Sequence, residues 1–329
     1  MEIDNLWIAV VGAAVVVIVV FDVVTTTVGV GVGRGPLSDA MARITRTLSH
    51  LGRPSHRRLQ VAGVLGAAAV PVMWTLLVWL GFAVMFLADD DAVLVASSQE
   101  PAAALGRIAY AAGALAGAGA SLVAGTETWE LVNNVAAIVG LALLTLGLTY
   151  LFQVVTSVKD ERAMATHMTA LGSSPSEAVA AALPAPGLGT LPSQLTAIAS
   201  DLSDAAQGHL TLPMLELFHA QDRRSAVPVG LATYDDILTL LQHALPEEHA
   251  PLVRTGRRAV DDFLSTITLV EDADAVPPLP SLGPLRAVRD DVVDDDTFAQ
   301  RCRGDEDRRR RLLSYLQAER WSWDDVVER

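Results

Sequence analysis

Cysteine, aromatic residues and positive charge are all scarce in this sequence. The only cysteine is Cys302, so a chain on its own forms no disulfide and no cysteine-based metal site. Aromatic residues make up 5% of the 329 residues, and the apolar half of the chain is mostly Val, Ala, Leu and Gly. There are 24 Lys and Arg against 38 Asp and Glu, and the net charge of −14 argues against a nucleic acid as a partner.

Motifs that would indicate an enzyme are also missing. His243 and His249 flank Glu247 and Glu248, but their spacing is not that of a His-Glu-x-x-His zinc site. The glycines of residues 29–35 do not follow a strand, as a dinucleotide-binding loop would. No nucleophile elbow, phosphate loop or pair of carboxylates has a suitable context. We therefore expect no enzyme activity, no catalytic residue, no bound metal and no cofactor.

Three long runs without a charged residue dominate the first half of the chain. They extend from Leu6 to Phe21, from Leu59 to Ala88 and from Leu131 to Val158. Because about 20 apolar residues in a helix cross the hydrocarbon core of a bilayer, each run predicts a transmembrane helix. A buried helix of a soluble protein is the alternative for one run, but three runs argue against it. The predicted spans cover about residues 6–26, 60–88 and 131–158.

The loops between the spans differ in charge, and this difference predicts their orientation. The first loop carries six arginines and one acid, Asp39, whereas the second carries Asp89, Asp90, Asp91 and Glu100 with one base, Arg107. The six arginines are Arg34, Arg43, Arg46, Arg53, Arg57 and Arg58. Short cytoplasmic loops are rich in Lys and Arg. We therefore expect the N-terminus to lie outside the cell and everything after Lys159 to lie inside.

Two Gly-x-Gly stretches are candidates for a loop at membrane depth. The first, TTTVGVG from Thr25, precedes a basic amphipathic segment in which Leu37, Met41, Ile44 and Leu48 recur at three- and four-residue steps. This spacing predicts a helix at the cytoplasmic surface, so we interpret the glycines before it as an exit from the membrane.

The second stretch has different neighbours. Pro101 opens a helix of small residues that we expect to cover about Ala102 to Ala114, and LAGAG follows it as Leu115 to Gly119. An outer span, a short helix, a Gly-x-Gly loop and an inner span occur in the order found in tetrameric cation-channel pores. Irregular backbone at membrane depth is tolerated only where it is buried in protein or faces water. We therefore predict a re-entrant pore helix and filter loop over residues 102–125.

Three segments carry a resemblance to a known family. They are FDVVTTTV…GRGPLS from Phe21, WELVNNVAAIVGLALLTLGLTYLFQVV from Trp129 and HLTLPMLELFHAQD from His209. The chain resembles the bacterial two-transmembrane-pore (ion channel type) potassium channels, in the branch with an extra N-terminal helix and a helical cytoplasmic tail. The resemblance implies a multi-pass homotetramer in the lipid bilayer of the bacterial inner membrane, with potassium as the permeant ion.

The same resemblance places the ion-conduction filter. Leu115 stands at the first Thr of the family motif Thr-x-Gly-Tyr/Phe-Gly-Asp, and Ala116 follows it. Gly117 and Gly119 occupy the two glycine positions, with Ala118 at the aromatic one. A register in which Ala116 comes first stays open. The missing hydroxyl and the missing aromatic ring lead us to expect weak selectivity for potassium or no conduction.

Other residues around the expected pore have two interpretations each. Glu127 and Glu130 either concentrate cations at an outer mouth or belong to an ordinary solvated loop. Four positions of the inner span are candidates for a hinge or a cavity, or for close helix packing through small residues: Gly140, Thr145, Gly147 and Thr149. Asp22 is either a functional acid within the first span or a residue at the interface that pairs with Arg34 or Arg43.

Residues 159–329 predict an α-helical cytoplasmic domain without strands. We expect helices at about Lys159–Leu171, Leu191–Ala220, Thr233–Leu245, Pro251–Leu269 and Arg308–Glu319. The run Arg308–Arg311 either touches anionic lipid or, with the acids beside it, belongs to a salt-bridged soluble helix. No ligand of this domain is indicated.

The prediction as a whole is an all-α membrane protein. Residues 1–158 form a channel-like pore domain with three transmembrane helices, and residues 159–329 form the cytoplasmic domain. Its expected function is that of a tetrameric cation channel with an atypical filter. The alternative is a channel-derived scaffold or sensor that does not conduct and acts through its cytoplasmic domain.

Overall fold

The structure is a computed structural model that divides the chain into two compact units. It describes residues 3–28, 35–49, 56–118, 121–212, 214–245, 250–268 and 273–327. The membrane unit comprises Met1–Leu48, Val64–Val154 and Thr211–Pro213. The tail unit comprises Ser49–Gly63, Val155–Leu210 and Met214–Arg329.

The first half of the chain contains five helices and a short β-ribbon within its described residues. The helices are α1 (Ile3–Thr27), α2 (Pro36–Ser49), α3 (His56–Leu87), α4 (Ala104–Ala116) and α5 (Glu127–Thr169). Segments Leu6–Thr27, Arg57–Leu87 and Glu127–Thr169 are long and apolar enough to cross a membrane. The three predicted spans are thus confirmed as helices of spanning length, in a chain that is mostly helical.

Within the membrane unit, α5 has a buried side and an exposed side. Trp129, Ala136, Leu143 and Tyr150 are buried and lie two helical turns apart. Large apolar side chains on the other side are exposed, among them Leu131, Ile138, Leu141, Leu144 and Phe152. An apolar surface of this kind suits contact with lipid or with another transmembrane helix.

The β-ribbon was not expected from the sequence. Strand β1 (Val93–Val95) pairs antiparallel with β2 (Leu122–Ala124), with Val93 opposite Ala124. Each strand has only three residues, which is too short for an alternating pattern to be recognised. Gly125 follows β2, and any side chain there would overlap the carbonyl oxygen of Asp91.

The described part of the tail unit contains helices and no strand, as the sequence predicted. After the end of α5 come α6 (Pro175–Ala182), α7 (Leu191–Thr211), α8 (Val227–His243), α9 (Ala250–Thr266), α10 (Gly283–Arg286), α11 (Asp295–Cys302) and α12 (Glu306–Ala318). Helix α8 is buried along nearly its whole length and occupies the centre of the core.

Several helix bounds in the tail differ from those expected. Helix α7 ends at Thr211 and not near Ala220, because Pro213 cannot continue a helix. Helix α8 begins at Val227, before the expected Thr233, since Pro228 is favourable in a first helical turn. The short helices α6, α10 and α11 were not predicted.

Candidate functional site

The first two residues of the predicted filter belong to a helix. Leu115 and Ala116 form the end of α4, which extends two residues beyond the expected end at Ala114. Leucine and alanine are strong helix formers, so the first residue that stops the helix is Gly117. Gly117 has the left-handed backbone conformation, with φ of 63°. Gly119 lies outside the described residues.

The end of α4 is closed by two backbone hydrogen bonds. The N–H of Gly117 donates to the carbonyl of Ala114 at 3.1 Å, and the N–H of Ala118 donates to Gly113 at 2.9 Å. These are the two bonds of a Schellman motif, which glycine in this conformation favours. The carbonyls of Gly113 and Ala114 are therefore used within the helix end.

The chain then returns alongside the helix it has just left. The carbonyl oxygen of Ala118 lies 3.6 Å from the point where a Cβ of Gly113 would be, near the last turn of α4. Leu122 Cδ1 lies 3.8 Å from the corresponding point of Gly106, near the first turn. The chain therefore runs along α4, reverses its direction, and begins β2 beside the first turn of α4.

The carbonyl end of α4 touches the backbone of α5. A Cβ on Gly140 would overlap the carbonyl oxygen of Leu115, so a glycine is required for this contact. Gly147 is less constrained, since its added Cβ would lie 3.3 Å from Pro71 on α3. Both glycines of the inner helix therefore occupy packing positions.

The two candidate threonines of the inner helix do not take part in the contact between α4 and α5. Thr145 and Thr149 are exposed. Their hydroxyl groups donate to their own helix, to the carbonyls of Leu141 and Thr145, at 3.0 and 2.9 Å. These hydroxyls are thus satisfied locally and present no donor to another group.

An open apolar groove of about 700 Å³ lies at the end of α4. Helix α3 contributes Thr75, Leu76 and Trp79, α4 contributes Ala112, Leu115, Ala116 and Gly117, and α5 contributes Ala137, Gly140, Leu141, Leu143 and Leu144. Trp79 is fixed by its indole N–H, which donates to the carbonyl of Ile108 at 3.1 Å. None of these described lining residues is charged, so the electrostatic character that they give the groove comes from the carbonyl end of α4.

The two acids of the expected outer mouth are exposed at the start of α5. Glu127 and Glu130 lie in the first turn of that helix, where negative side chains are favourable. Sequence reasoning missed the role of Arg107, which is buried. It pairs with Asp90 at 2.8 Å and donates to the carbonyl of Asp89 at 3.0 Å.

A second polar cluster in the membrane unit surrounds Asp22, which is fully buried. Its carboxylate accepts the N–H of Leu37 at 2.6 Å, the hydroxyl of Ser38 at 2.7 Å and the indole N–H of Trp74 at 2.8 Å. Pairing with Arg43 was one of the open alternatives for Asp22; among the described residues Arg43 instead pairs with Asp39 at 3.4 Å. Arg34, the other expected partner, lies outside the described residues.

The arginines of the run Arg308–Arg311 confirm the interpretation as a salt-bridged helix. Arg308 contacts Asp305 at 2.7 Å, and Arg310 contacts Asp307 at 2.7 Å. Arg309 is completely buried and pairs with Asp236 on α8, which the sequence did not indicate.

Two histidines in the described part of the tail lie near an acid. His243 Nε2 is 3.0 Å from Asp305, and His209 Nε2 is 3.0 Å from Glu161. Among the described residues, no group of three or more His, Cys, Asp or Glu is arranged to hold a metal. His249, Glu247 and Glu248 lie outside those residues.

A comparison with known proteins gives one distant likeness. The chain is 24% identical over 309 residues to the "Uncharacterized membrane protein YdjJ" of Bacillus subtilis (strain 168), which covers 92% of this chain and 91% of that protein. No protein-family model and no solved structure matches the chain. This likeness along most of both chains, together with three apolar helices of spanning length, supports a membrane protein with transmembrane helices.

Proposed function

We propose that the chain assembles as a homotetramer and passes monovalent cations, potassium among them, through a pore at the end of α4. The observation that carries this proposal is the path of the chain between two spans. A 13-residue apolar helix ends against the backbone of α5, and the chain then returns beside it. A helix of this length is about 20 Å long, which is too short to cross a bilayer and long enough to enter one.

The electrostatics of this arrangement favour cations over anions. The carbonyl end of a helix carries roughly half a negative elementary charge, and a fourfold assembly would bring four such ends together. The groove there holds aliphatic side chains and no base among its lining residues. We expect poor discrimination between potassium and sodium, because Leu115 lacks the hydroxyl ligand of a threonine and Ala118 lacks the support of an aromatic ring.

One observation favours the second candidate, a scaffold or sensor that does not conduct. Leu115 and Ala116 are helical, and the Schellman bonds at Gly117 use two carbonyls of the helix end. An extended filter would instead present successive carbonyls to the ions. In this second function the protein acts through its tail unit.

An ion-flux assay separates the two candidates. Purified protein in liposomes is tested for potassium, sodium and chloride flux, as wild type, as Gly117→Val and as Gly113→Ala. The Val variant forces a β-branched residue into a left-handed conformation, whereas an Ala at Gly113 makes only ordinary contact at 3.6 Å. The two glycines lie four residues apart, so Gly113→Ala is the matched control.

The channel proposal expects cation flux without chloride flux in the wild type and in Gly113→Ala, and none in Gly117→Val. Flux that Gly117→Val leaves unchanged would place the ion path elsewhere. Absence of flux for every ion would favour the scaffold, and strong potassium selectivity would show that the missing threonine is unimportant.

The proposed location is the bacterial inner membrane, with the N-terminus outside and the tail unit in the cytoplasm. Its support is the arginine-rich first loop and the acidic second loop. A cysteine placed at Asp90 should react with an impermeant reagent added to intact cells, whereas one placed at Arg46 should not. Labelling at Arg46 would overturn the topology and the pore with it.

A further inference from the structure

Helix α2 presents three different faces, and one of them is buried against the membrane unit. Successive residues of a helix are turned by about 100°. Ser38 and Ala42 are buried and lie on the face toward the protein. The apolar residues Leu37, Met41, Ile44 and Leu48 lie about 100° around the helix from that face, and the charged residues Asp39, Arg43 and Arg46 lie on the remaining side.

The protein-side face is held by Asp22. The hydrogen bonds to Leu37 and Ser38 join this carboxylate to the first turn of α2, where unpaired N–H groups and the positive end of the helix dipole attract an anion. Gly35 fits closely beside it, since any side chain there would overlap the carboxyl group. The orientation of α2 around its own axis is thereby fixed.

The hydrogen bonds to Asp22 also fix the position of α2 along the length of α1. Asp22 lies five residues before the end of α1 at Thr27, which corresponds to roughly 7 Å of helix. Because α1 is long and apolar enough to cross a membrane, α2 starts within the length of a span. The neighbouring residues Phe21 and Val24 of α1 are exposed and apolar as well.

The apolar face of α2 is half-buried at Leu37 and Met41 and becomes exposed towards the end of the helix. Ile44 is 55% exposed and Leu48 is 59% exposed. At the boundary of a bilayer these side chains would reach the acyl chains, and the arginines on the polar face would remain among anionic headgroups. The arginines of α2, its position along α1 and the exposed apolar residues of α1 nearby all indicate the same occupant for this face, a lipid layer.

We propose that α2 is a docking surface for the anionic phospholipid layer, with Leu37, Met41, Ile44 and Leu48 inserted below the headgroups and Asp22 holding the helix in that orientation. This surface is independent of ion conduction and belongs equally to a channel or a scaffold.

The test measures the depth of single residues in the full-length protein reconstituted into liposomes. A cysteine carrying an environment-sensitive fluorophore is placed at Ile44 or at Leu48. The matched control carries it at Thr47, which is exposed and adjacent to Leu48 in the sequence. The native Cys302 is buried, and labelling of the unsubstituted protein measures its contribution. Vesicles contain nitroxide-labelled lipid in a phosphatidylglycerol mixture or in pure phosphatidylcholine.

Docking predicts at least twofold stronger quenching at Ile44 and Leu48 than at Thr47, and weaker quenching when phosphatidylglycerol is absent. In Asp22→Asn the difference between Leu48 and Thr47 should shrink, because an amide cannot accept at both positions. If Asp22→Asn does not fold, the wild-type comparison decides alone. Equal quenching at the three positions would overturn the proposal. Burial of Leu48 without lipid quenching would also overturn it, in favour of a second protein copy.

Discussion

Both units bury carboxylates, but they stabilise them in different ways. In the membrane unit, Asp22 receives hydrogen bonds from backbone N–H groups, a hydroxyl and an indole, with no cation among these contacts. In the tail unit, Asp235 and Asp236 on α8 are just as buried and face cations. Those cations are Arg257, Arg308 and Arg309.

The difference follows from what surrounds each acid. A buried charge costs several kcal/mol unless polar partners compensate it. Within the membrane unit the start of α2 supplies N–H groups and a positive dipole end, and an arginine would carry a second charge into aliphatic surroundings. In the tail, Arg257 of α9 and Arg308 and Arg309 of α12 reach the central helix α8.

The largest effect should come from breaking a pair in the tail. Arg309→Ala leaves Asp236 buried without its partner, and we expect the free energy of unfolding to fall by about 3–5 kcal/mol. The arginine also donates to the carbonyl of Pro278 at 2.7 Å and lies 4.9 Å from the centre of the Trp323 ring. Thermal and urea unfolding of the full-length protein in detergent, followed by circular dichroism, measures the loss.

A double variant tests whether charge compensation is the cause. Arg309→Met combined with Asp236→Leu removes both charges and keeps most of the volume, so most of the lost stability should return. If the double variant is as unstable as Arg309→Ala, packing of the arginine side chain matters more than its charge. The contrast with Asp22 would then lose its electrostatic basis.

A somewhat smaller effect is expected for the acid of the membrane unit. Asp22→Ala removes the acceptor from Leu37, Ser38 and Trp74, and we expect the free energy of unfolding to fall by about 3 kcal/mol, since each of these three donors costs at least about 1 kcal/mol when it is left unsatisfied. Ser38→Ala removes one donor and should cost about 1 kcal/mol. Melting in detergent compares both with Asp39→Ala on the same helix, and a loss no greater than that of Asp39→Ala would show that the anchor adds nothing.

The sequence predicted those features that depend on long stretches of chain. The three spans were found because bilayer thickness imposes a minimum length of apolar helix. Helix α5 nevertheless begins at Glu127 and not at Leu131, since an uncharged run excludes the two acids that are favourable in a first helical turn. The bounds were therefore less predictable than the helices themselves.

The candidate sites depend on contacts that no local pattern indicates. Asp22 is bonded to Trp74, which is 52 residues away, and Asp236 is bonded to Arg309, which is 73 residues away. The end of α4 was misplaced for another reason. The interpretation of LAGAG as a loop set the boundary at Ala114, whereas helix propensity continues the helix to Ala116, and Gly117 is the first residue that stops it.

A third and smaller effect concerns pH and the network around Asp305. Burial alone would raise the pKa of Asp305, but the hydrogen bond from His243 and the charges of Arg257 and Arg308 outweigh it and hold the pKa well below its ordinary value. An acid with a lowered pKa contributes stability above its unfolded pKa of about 3.9, and this stability is lost as the pH falls below that value.

We therefore expect Asp305→Asn to lower the free energy of unfolding by about 1–2 kcal/mol at pH 7. Below pH 4 the difference between the two proteins should become progressively smaller. Urea unfolding of both proteins between pH 7 and pH 3 measures this gap. A gap that stays constant with pH would mean that the charge of Asp305 does not contribute. The network would then resemble the hydrogen bonds from uncharged donors at Asp22 more than an ion-pair cluster.

The smallest effects should come from exposed ion pairs, which each unit also contains. Arg43 pairs with Asp39 on α2 at 3.4 Å, and Arg310 pairs with Glu306 on α12 at 3.0 Å, both across one helical turn. Exposed pairs of this spacing contribute about 0.3–0.5 kcal/mol, because water screens the charges and the side chains lose freedom. We expect Arg43→Gln and Arg310→Gln each to change the free energy of unfolding by less than about 0.5 kcal/mol, and 0.5 M salt to remove that change. If the two variants change the free energy of unfolding by equally small amounts, burial is what makes the effects at Asp22 and Asp236 larger, whichever unit the acid occupies. A loss above about 1 kcal/mol for Arg43→Gln alone would indicate that α2 depends on this arginine as well as on Asp22, and the membrane unit would then use a cation after all.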